Sequence, residues 1–174
     1  MSNHLAKLIQ KKKSAVLKQW FESVIQSYAP DTAAFLKGQK DPFANPVGNA
    51  TMGGLDPLFD QLTGEMDQSA IRKNLDPIIR IRAVQDFTPS QAVAFVFSVK
   101  AILRENLKNE LQDIELAKEF VRIESNIDTA GLLAFDIFMA CREKIFDLKA
   151  NETRNRVFSA FERAGLVAEA PEND

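Results

Sequence analysis

The most regular pattern in the chain is a repeat of apolar residues at alternating steps of three and four positions, which runs through its second half. Residues three and four positions apart lie on one face of a helix, so this repeat predicts a long helix with one buried face. The members of the repeat are Leu116, Phe120, Ile123, Ile127, Ala130, Ala134, Phe138, Cys141, Ile145 and Leu148.

The middle of this segment carries a second apolar face, and Asp136 is its only charge between Thr129 and Cys141. A helix that is apolar nearly all round is either buried on all sides or lies in a membrane. The apolar part is roughly a dozen residues long, whereas a membrane span needs about 20. We therefore predict the central helix of a soluble helical domain, buried on both faces. The second face consists of Leu132, Phe135, Met139 and Phe146.

Helix start and stop signals divide the first part of the chain into shorter helices, and no strand pattern appears anywhere in the sequence. We predict an amphipathic helix over residues 3–29, which Pro30 ends, and a short helix over residues 31–37. The segment 47–63 has a helical pattern again. The pair Asp56-Pro57 is typical of a helix start, so we predict that the helix restarts there.

A loop separates the second and third of these helices, over residues 38–49. Pro42 and Pro46 hold the residues before them extended, so the loop is not helical. Phe43 lies between the two prolines. We expect its side chain to plug into the core; the alternative is a lid over a pocket.

The clearest local signal is the sequence Thr88-Pro89-Ser90-Gln91. Thr88 is suited to the N-cap, proline to the first helical position, and Gln91 completes a capping box. This box predicts a helix that reaches about Asn109 and packs against the central helix as an antiparallel hairpin. The preceding helix follows the capping residue Asp67 and is kinked or restarted at Asp76-Pro77.

The last helix begins near Asp113 and meets no strong breaker before Gly165. A continuous helix of about 50 residues would be about 75 Å long, longer than a domain of this size is wide. Either it breaks near Ala150-Asn151, or its end projects and needs a partner such as a second subunit. We predict a helical domain over residues 1–165 and a disordered tail over residues 166–174.

Composition is that of an ordinary globular protein: 174 residues, 45% hydrophobic and 26% charged, in agreement with one domain. The net charge of −2 provides no general attraction to nucleic acid. The lysines at 11–13 are interpreted as a solvated helix face rather than a membrane or nucleic-acid patch. One cysteine excludes an internal disulfide, and the first residues lack the apolar core of a signal peptide, so we expect a cytoplasmic protein without a membrane span.

Few residues are suited to catalysis or metal binding. His4 is the only histidine and lies at the terminus, which argues against histidine metal sites, histidine bases and a histidine-ligated haem. Cys141 lies on the buried face; an inert thiol is favoured over a nucleophile, since no histidine is available to activate it. Phosphate-loop, serine-hydrolase, zinc-protease and di-iron motifs are missing. We predict no catalytic residue, no metal, no cofactor and no enzyme activity.

One polar cluster is a candidate site for a ligand or a partner. Asp136 on the central helix would be costly if it were buried without a donor, and Arg80 or Arg82 is the expected partner. Three interpretations stay open: an ion pair that fixes helix register, a polar floor of a ligand cavity, and, least favoured, a catalytic or metal-binding carboxylate. The candidate binding residues are Arg80, Arg82, Gln85, Asp86, Asp128 and Asp136.

Three segments, KDPFANPVG, IIRIRAVQDFTPSQAVAFVFSVK and LLAFDIFMACREKIFDLKANE, resemble the RsbRD_N family. This family comprises the N-terminal domains of stressosome RsbT co-antagonist proteins and of some histidine kinases. The resemblance covers residues 5–164. Its most specific parts are residues 82–86 with 88–91, and residues 135–144.

The resemblance implies an all-helical sensory or partner-binding module, globin-like but without haem. It also implies a homodimer, formed through residues 113–165 or the first helix, and a regulatory protein partner of the STAS or kinase type. The signal would leave through the last helix. The alternative is a small-molecule binding protein without a relay role. Because the sequence ends at Asp174, we expect a free-standing module and do not carry over phosphorylation chemistry.

Overall fold

The computed structural model describes residues 3–39, 41 and 43–166 and, within them, an array of α-helices without a β-strand. The all-α fold with a long C-terminal helix is thereby confirmed. Except for Leu166, the predicted tail lies outside the described residues, as does Pro42. The helices are α1 (Asn3–Ile25), α2 (Pro30–Gly38), α3 (Pro46–Thr63), α4 (Gln68–Val84), α5 (Pro89–Asn106) and α6 (Ile114–Arg163), with a 3-10 turn over Glu110–Gln112.

The predicted loop over residues 38–49 is too long: α2 includes Gly38 and α3 begins at Pro46, a proline at the first helical position. Two internal prolines also depart from the predicted boundaries. Pro57 lies inside α3 and Pro77 inside α4, and neither ends its helix. The restart predicted at Asp56-Pro57 is therefore wrong. Each proline removes one helical hydrogen bond, but buried residues on both sides of it, such as Leu55 and Leu58 around Pro57, hold the helix against its neighbours.

The capping box at the start of α5 is confirmed. The backbone N–H of Gln91 donates to Thr88 Oγ1 over 3.3 Å, and the backbone N–H of Thr88 donates to Gln91 Oε1 over 3.0 Å. These two bonds satisfy donors that a helix start leaves without partners inside the helix. Thr88, a residue outside the helix, thus fixes where α5 begins.

The central helix α6 packs against α4 and α5, while α1 packs against α5 and α3, and α3 against α4. Trp20 of α1 is fully buried and donates its Nε1–H to the carbonyl oxygen of Phe95 in α5 over 2.7 Å. The repeated face of α6 is buried from Leu116 to Phe138, as its spacing predicts. Farther along, the same face opens to solvent, and Leu148 is 60% exposed.

The second apolar face of α6 is not buried, so the prediction that both faces lie in the core is wrong. Its four members, Leu132, Phe135, Met139 and Phe146, are all exposed. The cause is the arrangement of the bundle: the helices packed on α6, chiefly α4 and α5, lie on its repeated face, and the second face is left exposed. Phe43 is also exposed, to 96%, so it does not plug into the core.

The last helix is continuous for 50 residues, and the predicted alternative of a break near Ala150-Asn151 is wrong. Every residue from 146 to 166 is exposed, so the end of α6 projects beyond the bundle. We call residues 150–163 of α6 the overhang.

Candidate functional site

The predicted pairing of Asp136 with Arg80 or Arg82 is wrong. Asp136 lies on the surface of α6, and its Oδ2 accepts from Arg72 Nη2 of α4 over 3.2 Å. The side chains are 60% and 47% exposed, so the pair is a surface ion pair worth about 0–1 kcal/mol. Asp136 escapes burial because it lies away from the face of α6 that α4 and α5 cover.

Two other candidates also have surface partners. Arg80 Nε donates to Asp76 Oδ2 within α4 over 2.5 Å, and the carboxylate raises the pKa of this arginine. Asp128 Oδ1 accepts from Lys100 Nζ of α5, also over 2.5 Å. Arg80 and Asp136 border one shallow hollow on the α4–α6 surface, whereas Asp128 lies elsewhere, between α5 and α6.

Arg82 alone among the candidates is fully inside the protein, with 0% exposure. Its Nη2 donates to the hydroxyl of Ser27, just beyond the end of α1. Three aromatic rings surround its guanidinium. The Cζ atom lies 4.4 Å from the ring centre of Phe87, 5.2 Å from that of Phe95 and 5.3 Å from that of Tyr28. We call these three rings the aromatic cage.

The charge of Arg82 has no carboxylate partner within 4.0 Å among the described residues. Its Nε and Nη1 are buried and make no hydrogen bond there. Each such donor costs about 1–3 kcal/mol, and each ring contact returns about 0.5–2 kcal/mol. Burial lowers the pKa of the Arg82 guanidinium. Burial also raises the pKa of the Tyr28 hydroxyl, and the positive charge of Arg82 opposes part of that rise. The two unpaired donors and the three ring contacts are therefore of similar magnitude, and a cation without a carboxylate partner remains in the interior.

Gln85 and Asp86 lie close to Arg82, in the linker between α4 and α5. Gln85 follows the end of α4, and its Oε1 is buried without a hydrogen-bond partner. Asp86 lies at the edge of a hollow of about 420 Å³ between this linker and α6, which we call the linker hollow. Its lining consists of Asp86, Phe87, Thr88, Pro89, Phe138, Met139, Arg142 and Phe146.

Phe87 connects the linker hollow with the aromatic cage. Its ring lines the hollow and also lies against Arg82, and it meets the ring of Tyr28 edge to face at 5.2 Å. Phe87 thus belongs both to the lining of the hollow and to the cage around the buried cation. Sequence reasoning found Arg82, Gln85 and Asp86 but missed the aromatic side chains, because no spacing pattern links Tyr28, Phe87 and Phe95.

A larger hollow, of about 700 Å³, lies on the other side of the molecule between α1, α2 and α3. Leu17, Phe21 and Met52 contribute to it, with several charged side chains around them. Four of those charges are paired within the protein, and the fifth, on Lys18, is exposed. Lys13 Nζ lies 2.6 Å from Asp56 Oδ1, and Lys37 Nζ lies 3.5 Å from Glu22 Oε1. This hollow therefore presents no buried group that needs a ligand.

A second candidate surface is the exposed face of α6. Seven large apolar residues on it are separated by 11, 3, 4, 7, 11 and 4 positions, each a sum of threes and fours, so they share one face. Their exposure lies between 43% and 67%, and at 1.5 Å per residue they extend over about 60 Å. We call them the α6 stripe: Val121, Leu132, Phe135, Met139, Phe146, Val157 and Phe161.

No group of three or more histidine, cysteine or carboxylate side chains among the described residues is arranged to hold a metal ion. In the same part of the chain, no helix is both long and apolar enough to cross a membrane.

A family model described as the RsbT co-antagonist protein rsbRD N-terminal domain matches residues 14–153. The match includes the aromatic cage, the linker hollow and most of α6. No curated protein and no solved structure matches the chain. The likeness to the globin fold therefore stays a prediction.

Proposed function

The chain belongs to the RsbRD_N family, and on that premise we propose that it is a non-enzymatic stress-signalling module of the cytoplasm. In this proposal it senses a ligand or binds a regulatory partner of the STAS or kinase type, and it relays the signal through α6. The description of the family as an N-terminal domain of RsbT co-antagonist proteins supports a role in regulation. Asp136 and Asp128 lie on the surface with basic partners, which argues against catalysis by these two carboxylates.

The observation that carries the proposal is the α6 stripe. An exposed apolar face of this length is typical of a helix that pairs with another helix. Most of the stability of a helix in a protein comes from packing of its apolar face, and the overhang packs on nothing in the described chain. We propose that a second copy of the chain covers the stripe, so that the module is a homodimer.

The outer face of α1, the other dimer surface predicted from the sequence, is less suited to self-association. It carries Lys7, Lys11 and Lys18, all exposed. A twofold axis brings equivalent surfaces together, so these lysines would meet like charges there. The seven members of the α6 stripe are uncharged, and of the exposed acidic residues among them, Asp128 and Glu143, the first is paired with Lys100.

The same helix also connects the two candidate surfaces. Met139 and Phe146 belong to the α6 stripe and also line the linker hollow. A ligand in the hollow therefore contacts residues that a second copy would cover. In the proposed relay, ligand binding changes how the two α6 helices pack, and the overhang carries that change to the regulatory partner.

Sedimentation velocity over a range of concentrations tests the dimer, with two variants that differ only in which face they alter. Leu132→Glu places a charge on the stripe, whereas Leu148→Glu places it on the opposite side of the same helix. The two leucines are 67% and 60% exposed, so neither change buries a charge within the monomer. We expect a dimer for the unaltered protein and for Leu148→Glu. For Leu132→Glu we expect a dimer dissociation constant at least tenfold higher, a loss of about 1.4 kcal/mol or more of binding free energy.

A monomer at every concentration would contradict the proposed homodimer. In that case the alternative, a small-molecule binding protein without a relay role, is favoured by the linker hollow and the buried Arg82. Equal dimerisation of the two variants would show that the copies meet on another surface.

A further inference from the structure

We infer that Arg82 is the receptor for the carboxylate of a small apolar acid, whose hydrocarbon part occupies the linker hollow. The inference deepens the ligand-sensing part of the proposed function and rests on it. Three features of the molecule carry it: a buried cation without a carboxylate partner, a largely apolar hollow, and an aromatic ring, Phe87, that belongs to both.

The unpaired cation defines the charge of the ligand. Arg82 is fully buried, and its Nε and Nη1 retain donors without partners while Nη2 is bound to Ser27. A guanidinium binds a carboxylate through parallel N–H donors. One negative charge would neutralise the site, whereas a doubly charged phosphate would leave a buried excess charge among aromatic rings. A monocarboxylate is therefore the anion that the cage fits best.

The linker hollow defines the rest of the ligand. Five of its lining residues are apolar, and the hollow adjoins the cage through Phe87. Its volume of about 420 Å³ lies in the range of small-molecule sites. The five are Phe87, Pro89, Phe138, Met139 and Phe146. A short alkyl chain or one aromatic ring matches this lining.

Phe87 is the gate in this arrangement. It lies in the linker between α4 and α5 rather than inside a helix, and its side chain is only partly buried. Rotation of this ring away from Arg82 would open the guanidinium to the hollow. The displaced ring would then contact the hydrocarbon part of the acid. The apolar surface of the ring that becomes exposed when it leaves Arg82 would be buried again by this contact.

A structural role for Arg82 is the competing explanation. The guanidinium contacts residues that follow α1, residues of α5 and the linker, so it also holds these elements together. If the role of Arg82 is purely structural, its replacement makes the protein unstable. The unaltered protein then shows no preference for an acid over a neutral molecule of the same length. Ligand selectivity therefore separates the two explanations.

The test is calorimetric titration with sodium octanoate and with 1-octanol, which share a chain and differ in charge. We expect the unaltered protein to bind octanoate at least tenfold more tightly than octanol, and Arg82→Met to lose that preference. Methionine is suited to the cage because an apolar residue of similar volume often replaces a buried charge without loss of stability. Arg104→Met removes an exposed arginine of α5 that also lies over an aromatic ring, that of Phe120, and is expected to keep the preference.

Two further variants keep the test decisive if Arg82→Met does not fold. Arg82→Lys retains the charge without the planar fork and is expected to bind octanoate more weakly than the unaltered protein. Phe87→Ala removes the gate and is expected to speed octanoate binding. Absence of octanoate binding at millimolar concentration, or an unchanged preference in the folded Arg82 variants, would overturn the inference. Because dimerisation is measured without octanoate, failure here and failure of the α6 pairing are distinguishable.

Discussion

Two adjacent glycines of α3 provide a sharp test of how the helices are packed. Gly54 is buried where α3 crosses α4; a Cβ built on it would lie 2.7 Å from the carbonyl oxygen of Asn74 and 2.9 Å from Ile78 Cδ1. Gly53 is exposed, and a Cβ there would meet nothing within 4 Å. We predict that Gly53→Ala stabilises the protein and that Gly54→Ala destabilises it relative to Gly53→Ala.

The magnitude follows from two terms, only one of which differs between the variants. Replacing an interior helical glycine by alanine gains about 1 kcal/mol of helix propensity at either position. Only at Gly54 must the helices move apart, because the nearest obstacle is a backbone carbonyl rather than a flexible side chain. Such overpacking costs about 1–3 kcal/mol. At roughly 2–4 °C per kcal/mol, the two melting temperatures should differ by about 2–12 °C.

Thermal and urea unfolding followed by circular dichroism measure this difference in free energy of unfolding. The two variants contain the same atoms and differ by one position, so effects of composition cancel. Equal stability of Gly53→Ala and Gly54→Ala would refute the close crossing of α3 and α4. Lower stability of Gly53→Ala would contradict the open environment of that glycine.

Three smaller effects follow from the same contacts. Thr88→Ala should lower the free energy of unfolding by about 1 kcal/mol, measured in urea, because it removes the N-cap of α5. Asp136→Asn should leave the melting temperature nearly unchanged, since its pair with Arg72 is exposed; a large loss would show a buried pair. The Lys12 ammonium, 2.6 Å from Glu110 Oε1, holds the pKa of that carboxyl below its ordinary value. The stabilisation from this ion pair is fully present above the ordinary pKa of a glutamate carboxyl, and it is lost as the pH falls through the lowered pKa of Glu110. The stability difference between the unaltered protein and Glu110→Gln should therefore shrink from pH ~7 to pH ~3 by urea unfolding.

Features set by neighbouring residues could be predicted from the sequence. The capping box at Thr88 and the continuous helical repeat from Leu116 to Phe138 depend on contacts within a few positions, and both are as predicted. Periodicity also identified Leu132 as part of an apolar face. It could not show what covers that face, because burial depends on how many helices surround α6.

The contacts of the candidate site were still harder to predict from the sequence, because they too depend on how the helices are arranged. The sequence predicts a pair of Asp136 with Arg80 or Arg82, but the turn of α4 that reaches Asp136 carries Arg72. The aromatic cage brings together residues separated by up to 67 positions, from Tyr28 to Phe95. Such contacts arise from the crossing of α1, α4 and α5, which no local pattern encodes.

The most direct test of the central claim, that a second copy covers the α6 stripe, is hydrogen exchange along the overhang at two protein concentrations. A projecting helix without a partner opens readily, so its amides exchange fast. If two copies pair through the stripe, exchange of residues 150–163 should slow at high concentration and remain fast in Leu132→Glu. Fast exchange of these residues at every concentration, with the rest of the domain protected, would contradict the claim.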